Sequence, residues 1–422
     1  MILNLALKGD SSMFDPNKIR NDFPMFKNNE YMQGKKMIYF DNANTSFKPQ
    51  CVMDAINEYY CYYSCNTHRG DYNLSDMSDK KFEEARRTIA DFIGAKKTEV
   101  CFTSGASMGL NVIAYGYQKF LTKDDEILLT EAEHASNVLP WFKVAETIGC
   151  KISYIPLDEK GKLTPENLEK SITKNTKVIS VAHVTNVLGY VNDVKELAKV
   201  AHKHDVLFVC DGAQSVPHMK INVKDLDVDF MVFSGHKCVG PTGIGVLYGK
   251  YELLDKLDPL MMGGGMNTKF DMCGDVGYLL PPLKFEAGTQ NVAGAVGLAA
   301  ACKYLNSLGM DNIAKYEIEL KEYAVKKLKE EVPEITIYNP EADGGIITFN
   351  FKGVHAQDMA TLLASHGICV RSGEHCAKLL HNLLGTDATV RASLYFYNTK
   401  EEVDAFVEAC KKGSDFLDAF FA

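Results

Sequence analysis

From about residue 99 onward, short apolar runs alternate with amphipathic stretches, and this alternation most restricts what the chain can fold into. "EVCFTSG", "DEILLTE", "CKISYIPL", "TKVISVAHV", "DVLFVCDGA" and "DFMVFSGH" read as strands, with "PENLEKSI" and "VNDVKELAKVAHKH" as helices between them. A strand covered on both faces is apolar along its length, whereas a helix lying on a sheet shows one apolar stripe. The pattern predicts an α/β fold, a mostly parallel sheet between layers of helices. Near residue 290 the pattern changes. "NVAGAVGLAAACKYLNSLG" and "IAKYEIELKEYAVKKLKEEV" read as successive helices. Shorter strands ("GGIITFNF", "ICVRSG", "ATVRASL") then alternate with "AQDMATLLASHG" and the closing helix "TKEEVDAFVEACKKGSDFL".

A chain of 422 residues is too long for one small core. The expected division is an N-terminal arm (1–40) packing with the small domain, a large domain (41–290), and a small C-terminal α+β domain (291–422). A ligand belongs in the cleft between the two domains. The formal charge of −9, with no Lys/Arg-rich block, argues against nucleic acid as a partner. No apolar stretch is long enough for a membrane span, and "MILNLALKGDSSMFDPNK" lacks the basic start and cleavage site of a signal peptide. A cytoplasmic protein is expected. The twelve cysteines are scattered through strands and helices, which suits reduced, mostly buried thiols. Cys61, Cys65 and His68 have the spacing of one helical face, but no second pair completes four ligands, so no metal is expected.

Chemistry-bearing residues fall where the strands end, the place at which open α/β sheets bind ligands. Asp211 follows "LFVC", Ser234, His236 and Lys237 follow "MVF", His134 follows "ILLTEAE", and Asn186 follows "VISVAHVT". "GAS" (Gly105, Ala106, Ser107) opens a helix and offers N–H groups and a hydroxyl to a phosphate. A buried lysine amine sheds its charge and becomes a Schiff-base partner for an aldehyde. A carboxylate facing a pyridinium nitrogen would make a pyridoxal ring an electron sink. Ser234 and His236 can add donors, and His134 can stack on the ring. Each element alone more often has a structural role; their coincidence on strand ends is what carries weight.

"DGAQSV" followed by "DFMVFSGHKCVGPTGIGVLY" resembles the class V family of fold-type I pyridoxal-phosphate enzymes, in particular the Suf-type cysteine desulfurases. The resemblance continues in "YFDNANTSFKP", "NTHRGDYNLS", "EAEHASNVLPW", "HVTNVLGYV", "FEAGTQN" and "VRSGEHCA…VRASLYFYNT", from about residue 14 to 420. It implies a large domain with a seven-stranded, mostly parallel sheet. It also implies that pyridoxal 5'-phosphate is linked to Lys237, with Asp211 on the pyridine nitrogen, Gln214 on the ring hydroxyl and His134 on the ring face. Ala106, Ser107, Ser234 and His236 would hold the phosphate, and Thr289 would reach it from the neighbouring subunit of a homodimer. Asn186 and Arg391 would hold the substrate carboxylate, and Arg371 and His68 join the substrate-binding set.

The cofactor does not choose the reaction. Cys376 does: it lies in the loop "RSGEHCAKLL" among polar neighbours, beside His375 and Arg371, whose charges would favour a thiolate nucleophile. Cys238 adjoins Lys237, but adjacent residues of an extended segment face opposite ways, so it should pack behind the lysine. The resemblance then implies that L-cysteine becomes L-alanine. The sulfur is held as a persulfide on Cys376 and passed to a Suf-type acceptor protein for iron–sulfur cluster assembly. Three positions depart from the family's pattern: Glu374 replaces a second histidine, Ala106 a threonine, and a histidine usual two positions after Asp71 is missing. A selenocysteine lyase, a class V aminotransferase and a catalytically idle sulfur-transfer scaffold are the alternatives. A nicotinamide dehydrogenase is disfavoured because no G-x-G-x-x-G follows the first strand.

Overall fold

The computed structural model describes residues 14–68 and 70–413. The first thirteen residues, and the end of the stretch read as the closing helix, lie outside that range. Seven strands form the main sheet: β1 (Val100–Thr103), β2 (Glu126–Leu129), β3 (Lys151–Tyr154), β4 (Thr176–Ala182), β5 (Leu207–Asp211), β6 (Phe230–Ser234) and β7 (Gly245–Gly249). Their spatial order is β1-β7-β6-β5-β4-β2-β3. β7 runs antiparallel to β1 and β6, and the other neighbours are parallel.

Alternate side chains of each strand leave the sheet on opposite faces. Phe208 and Cys210 of β5 enter one core while Leu207 and Val209 enter the other. Every residue of β5, β6 and β7 is buried, so these strands read as continuous apolar runs. Burying one large apolar side chain contributes roughly 1.5–3 kcal/mol, and this drives the three-layer packing. The six strands read from sequence are all present. The seventh, β7, escaped because glycines at both ends leave it an apolar run of only residues 246–248. Gly245 is required there: a Cβ would stand 2.5 Å from Gly105 Cα and 2.7 Å from the Phe233 carbonyl oxygen.

The helices that bear on the site are α1 (Gln50–Tyr62), α2 (Asn73–Ile93), α3 (Ala106–Tyr117), α4 (Ala135–Ile148), α5 (Val292–Leu308) and α6 (Met310–Glu331). α1 stops at Tyr62, so Cys65 and His68 lie beyond it and do not share a helical face with Cys61. A sequence spacing describes a face only while the helix lasts. α5 packs on α1 and α2 within the larger core, so the change of core falls near residue 309 and not at 290. Its small residues allow that close approach: a Cβ on Gly297 would meet Ile56 Cγ1 at 2.9 Å.

The second core surrounds an antiparallel sheet of β8 (Ile335–Ile337), β9 (Ile346–Phe351), β10 (Arg371–Gly373) and β11 (Thr389–Ser393), ordered β8-β9-β11-β10. β8 was not read from sequence, being only three residues long. An N-terminal strand, Ile38–Tyr39, pairs in parallel with Ile368–Cys369. None of the described helices is long and apolar enough to cross a membrane.

Candidate active site

The carboxyl ends of β5 and β6, the start of α3 and the turn after β10 converge on a cavity of about 300 Å³. Lys237 closes a short helical turn, Gly235–Lys237, directly after β6. Burial pushes its amine down to about 8, against the opposing pull of Asp211. An amine so placed holds a substantial neutral fraction near pH 8, the form that condenses with an aldehyde. Cys238 turns away and is fully buried in the larger core.

Asp211 ends β5 and is buried; its Oδ1 accepts from the Ala213 N–H at 2.9 Å. Burial raises this carboxyl, while the Ala213 N–H and Lys237 act in the other direction. Gln214 Nε2 donates to the Ala43 carbonyl at 2.7 Å, which leaves its buried Oε1 without a partner. His134 caps α4, its Nδ1 accepting from the Ser136 N–H at 3.1 Å. Burial, then Lys237, hold the imidazole down near 4, so it presents a neutral ring. Ser234 Oγ accepts from the Ala106 N–H at 2.8 Å, and Ser107 and Ser136 pair through their hydroxyls at 2.6 Å. His236 is likewise held near 4, chiefly by burial.

The opposite wall comes from the four-stranded sheet of the second core and the turn after β10. Arg391, on β11, has no exposed surface; its NH1 donates to the Asn186 carbonyl at 2.8 Å, and its Nε and NH2 have no hydrogen-bond partner. NH2 faces the Asp41 carboxylate at 3.6 Å, and the planar fork of a guanidinium suits such a group. Burial pulls the guanidinium down to about 10. Arg371 NH2 reaches Cys376 Sγ at 3.5 Å. His375 and Cys376 both have left-handed backbones, with φ of 51° and 57°. Such angles are rare outside glycine and persist only when neighbours enforce them. Here Asn186 Nδ2 donates to the His375 carbonyl at 2.8 Å and the Ala135 N–H to the Cys376 carbonyl at 2.7 Å.

His375 corrects one expectation. Its ring is buried, its Nε2 lies 2.9–3.0 Å from Thr389, and burial holds it near 2, so it supplies no charge to Cys376. The cation beside the sulfur is Arg371. His68 is exposed and lines two other cavities, so within one chain it stands apart from this site. Thr289 likewise lines a separate cavity with Thr103 and Gly243. Every other expected residue lines the central cavity: Ala106, Ser107, His134, Asn186, Asp211, Gln214, Ser234, His236, Lys237, Arg371, Cys376 and Arg391. Ala43, Asn44 and Ser136 line it too and were missed. The signal for the first two was the motif "DNANTSFKP", which had been given no role.

Pyridoxal phosphate fits this arrangement. The orphaned Gln214 Oε1 needs a donor such as a ring hydroxyl, and Asp211 and Lys237 open on the same cavity. A family model described as Aminotransferase class-V matches residues 38–406, and the chain belongs to that family, with a fold-type I architecture and pyridoxal phosphate as its cofactor. Its relatives are narrower in kind. A probable cysteine desulfurase of Halalkalibacterium halodurans is 43% identical, covering 96% of this chain and 99% of its own. One from Pyrococcus abyssi is 42% identical over 93% and 96%. The apo structure of the cysteine desulfurase from Thermococcus onnurineus NA1 superposes with a TM-score of 0.90 at 41% identity, covering 96% and 99%. The Escherichia coli cysteine desulfurase CsdA, in an S-sulfonic acid form, gives 0.88 at 34% over the same shares.

Proposed function

We propose that this chain is a cysteine desulfurase that releases L-alanine from L-cysteine and keeps the sulfur as a persulfide on Cys376. One observation carries this reading: Cys376 lines the same cavity as Lys237, with a guanidinium 3.5 Å from its sulfur. An aminotransferase has no use for a thiol there.

When bound, pyridoxal phosphate supplies an electron sink for the substrate Cα. The cavity's lining supports a role for each residue. Arg391, with Asn186, would hold the substrate carboxylate. Asp211 would pair with the ring nitrogen, Gln214 Oε1 would accept from the ring hydroxyl, and the neutral His134 would cover a ring face. The Ala106–Ser107 start of α3, with Ser234 and His236, would hold the phosphate. Lys237 would take the Cα proton; its lowered pKa suits a base working near neutrality. Cys376 Sγ attacks the substrate sulfur. An S–S bond forms, the Cβ–S bond breaks, and its electron pair stays on the carbon side, which takes up protons to leave alanine.

The wider reading has the enzyme as a cytoplasmic homodimer that hands its sulfur to a Suf-type acceptor for iron–sulfur cluster assembly. Its support is the short tether between Cys376 and β11 and the enforced backbone of the cysteine. A nucleophile held this way requires the acceptor to come to it. The test is to incubate the purified holoprotein with L-cysteine and a reductant. Alanine and sulfide in equal amounts are expected; pyruvate with ammonia would make the chain an eliminase. Cys376→Ser should still bind cysteine, seen as a change in cofactor absorbance, while alanine release falls by about 100-fold or more.

A further inference from the structure

The motif "DNANTSFKP" bridges the two halves of the site. At one end it is tied to β11. Asp41 bridges Ser393, the Ala43 N–H donates to Ser393 Oγ at 2.9 Å, and Asn42 Nδ2 donates to the Ser393 carbonyl at 2.7 Å. Asp41 also lies 3.6 Å from Arg391, and Asn44 Oδ1 lies 3.4 Å from Arg371. At the other end the same segment grips the turn that carries Lys237. The His236 carbonyl receives the Ser46 N–H at 3.1 Å, Thr45 Oγ1 at 3.2 Å and Lys48 Nζ at 3.4 Å. Ser46 Oγ lies 3.1 Å and 3.0 Å from the His236 and Lys237 carbonyls and accepts from the Val239 N–H at 3.0 Å.

That last bond matters because Val239 has φ of 48°, a left-handed angle that a β-branched residue adopts only under constraint. Ser46 is almost fully buried, so no water stands ready to replace its hydroxyl. Three residues of one segment, Thr45, Ser46 and Lys48, thus converge on the backbone of His236 and Lys237, and the segment's other end is bonded to the sheet carrying both arginines.

We propose that Asp41–Lys48 is the positioning element that sets Lys237 against the arginines and Cys376, with Ser46 as its main positioning residue. This rests on the reading of Lys237 as the cofactor lysine, and its effect on turnover rests on the proposed activity. Loss of the Ser46 hydroxyl relaxes the Val239 turn and lets water reach the lysine nitrogen, which then binds a proton more readily. Ser393 does not line the cavity, and the segment's bonds link it to the turn that carries Lys237.

The test uses holoprotein without substrate and reads the pH midpoint of the cofactor's visible absorbance for wild type, Ser46→Ala, Ser46→Thr, Ser393→Ala and the double alanine variant. Ser46→Ala should raise the midpoint by about half a unit or more, and Ser46→Thr, which keeps the hydroxyl, should restore it. Ser393→Ala should move it the same way, with the double variant shifting less than the sum. With L-cysteine, kcat of Ser46→Ala should fall about tenfold at little-changed KM. A wild-type midpoint in Ser393→Ala, or strictly additive shifts, overturns the proposal, and Ser393→Ala still decides it if Ser46→Ala does not fold. Midpoint shifts in a protein that makes no alanine would leave the positioning element intact and remove only the desulfurase.

Discussion

Lys237 is placed for chemistry at the expense of stability. Burial lowers its pKa to about 8 in the folded protein, whereas an unfolded lysine titrates near 10.5. Between those values the unfolded chain binds the extra proton, so stability rises with pH across that window and the full penalty applies below it. Before the cofactor is loaded, Lys237→Met should therefore melt a few degrees higher than wild type at pH 7, with the gap closing as pH approaches 10. Equal melting temperatures at pH 7 would mean the amine is well solvated. Lys237, Asp211 and His134 were legible because each ends a recognisable strand or opens a helix. The role of His375 was not legible. Whether an imidazole beside a thiol carries charge depends on burial and on Thr389, fourteen positions away in sequence.

The strands and helices follow rules of spacing, and the misreadings are where those rules stop. β7 was missed because Gly245 and Gly249 bound an apolar run of only residues 246–248, yet those glycines are what allow the strand its close neighbours. Gly245→Ala should cost about 1–3 kcal/mol in urea unfolding, because Gly105 Cα and the Phe233 carbonyl are backbone and cannot step aside. It should also weaken cofactor retention on dialysis, since Gly105 opens the phosphate-facing start of α3. A second expectation concerns the joint between α2, β1 and the segment ending at Glu286. Arg86 and Glu286 form a buried, two-pronged pair at 2.6 and 2.8 Å, and Glu286 also accepts from the Phe102 N–H. Glu286→Ala, which leaves the buried guanidinium only Glu83 at 3.1 Å and the Val100 carbonyl, should destabilise by about 3 kcal/mol in the same measurement.

At the scale of the whole molecule, Thr289 and His68 stand away from their own chain's cavity, as a two-chain site would require of residues serving a neighbour. If Thr289 completes the partner's phosphate site, chains carrying Lys237→Ala and chains carrying Thr289→Ala should complement. Random pairing of equal amounts leaves one intact site in half of the dimers, so about a quarter of wild-type activity should return. No recovery, or a monomer by sedimentation, would count against the homodimer. By itself the sequence determined the α/β order of elements, and it singled out Lys237, Asp211, His134 and Cys376 as candidates. The order depends on local periodicity; the candidates rest on residue type and on the resemblance. Only the tertiary structure decided that α5 joins the larger core, that His375 is a buried neutral anchor and that "DNANTSFKP" ties Lys237 to β11. Each of these is a contact between segments far apart in the chain, and neither spacing nor composition encodes which distant surfaces will meet.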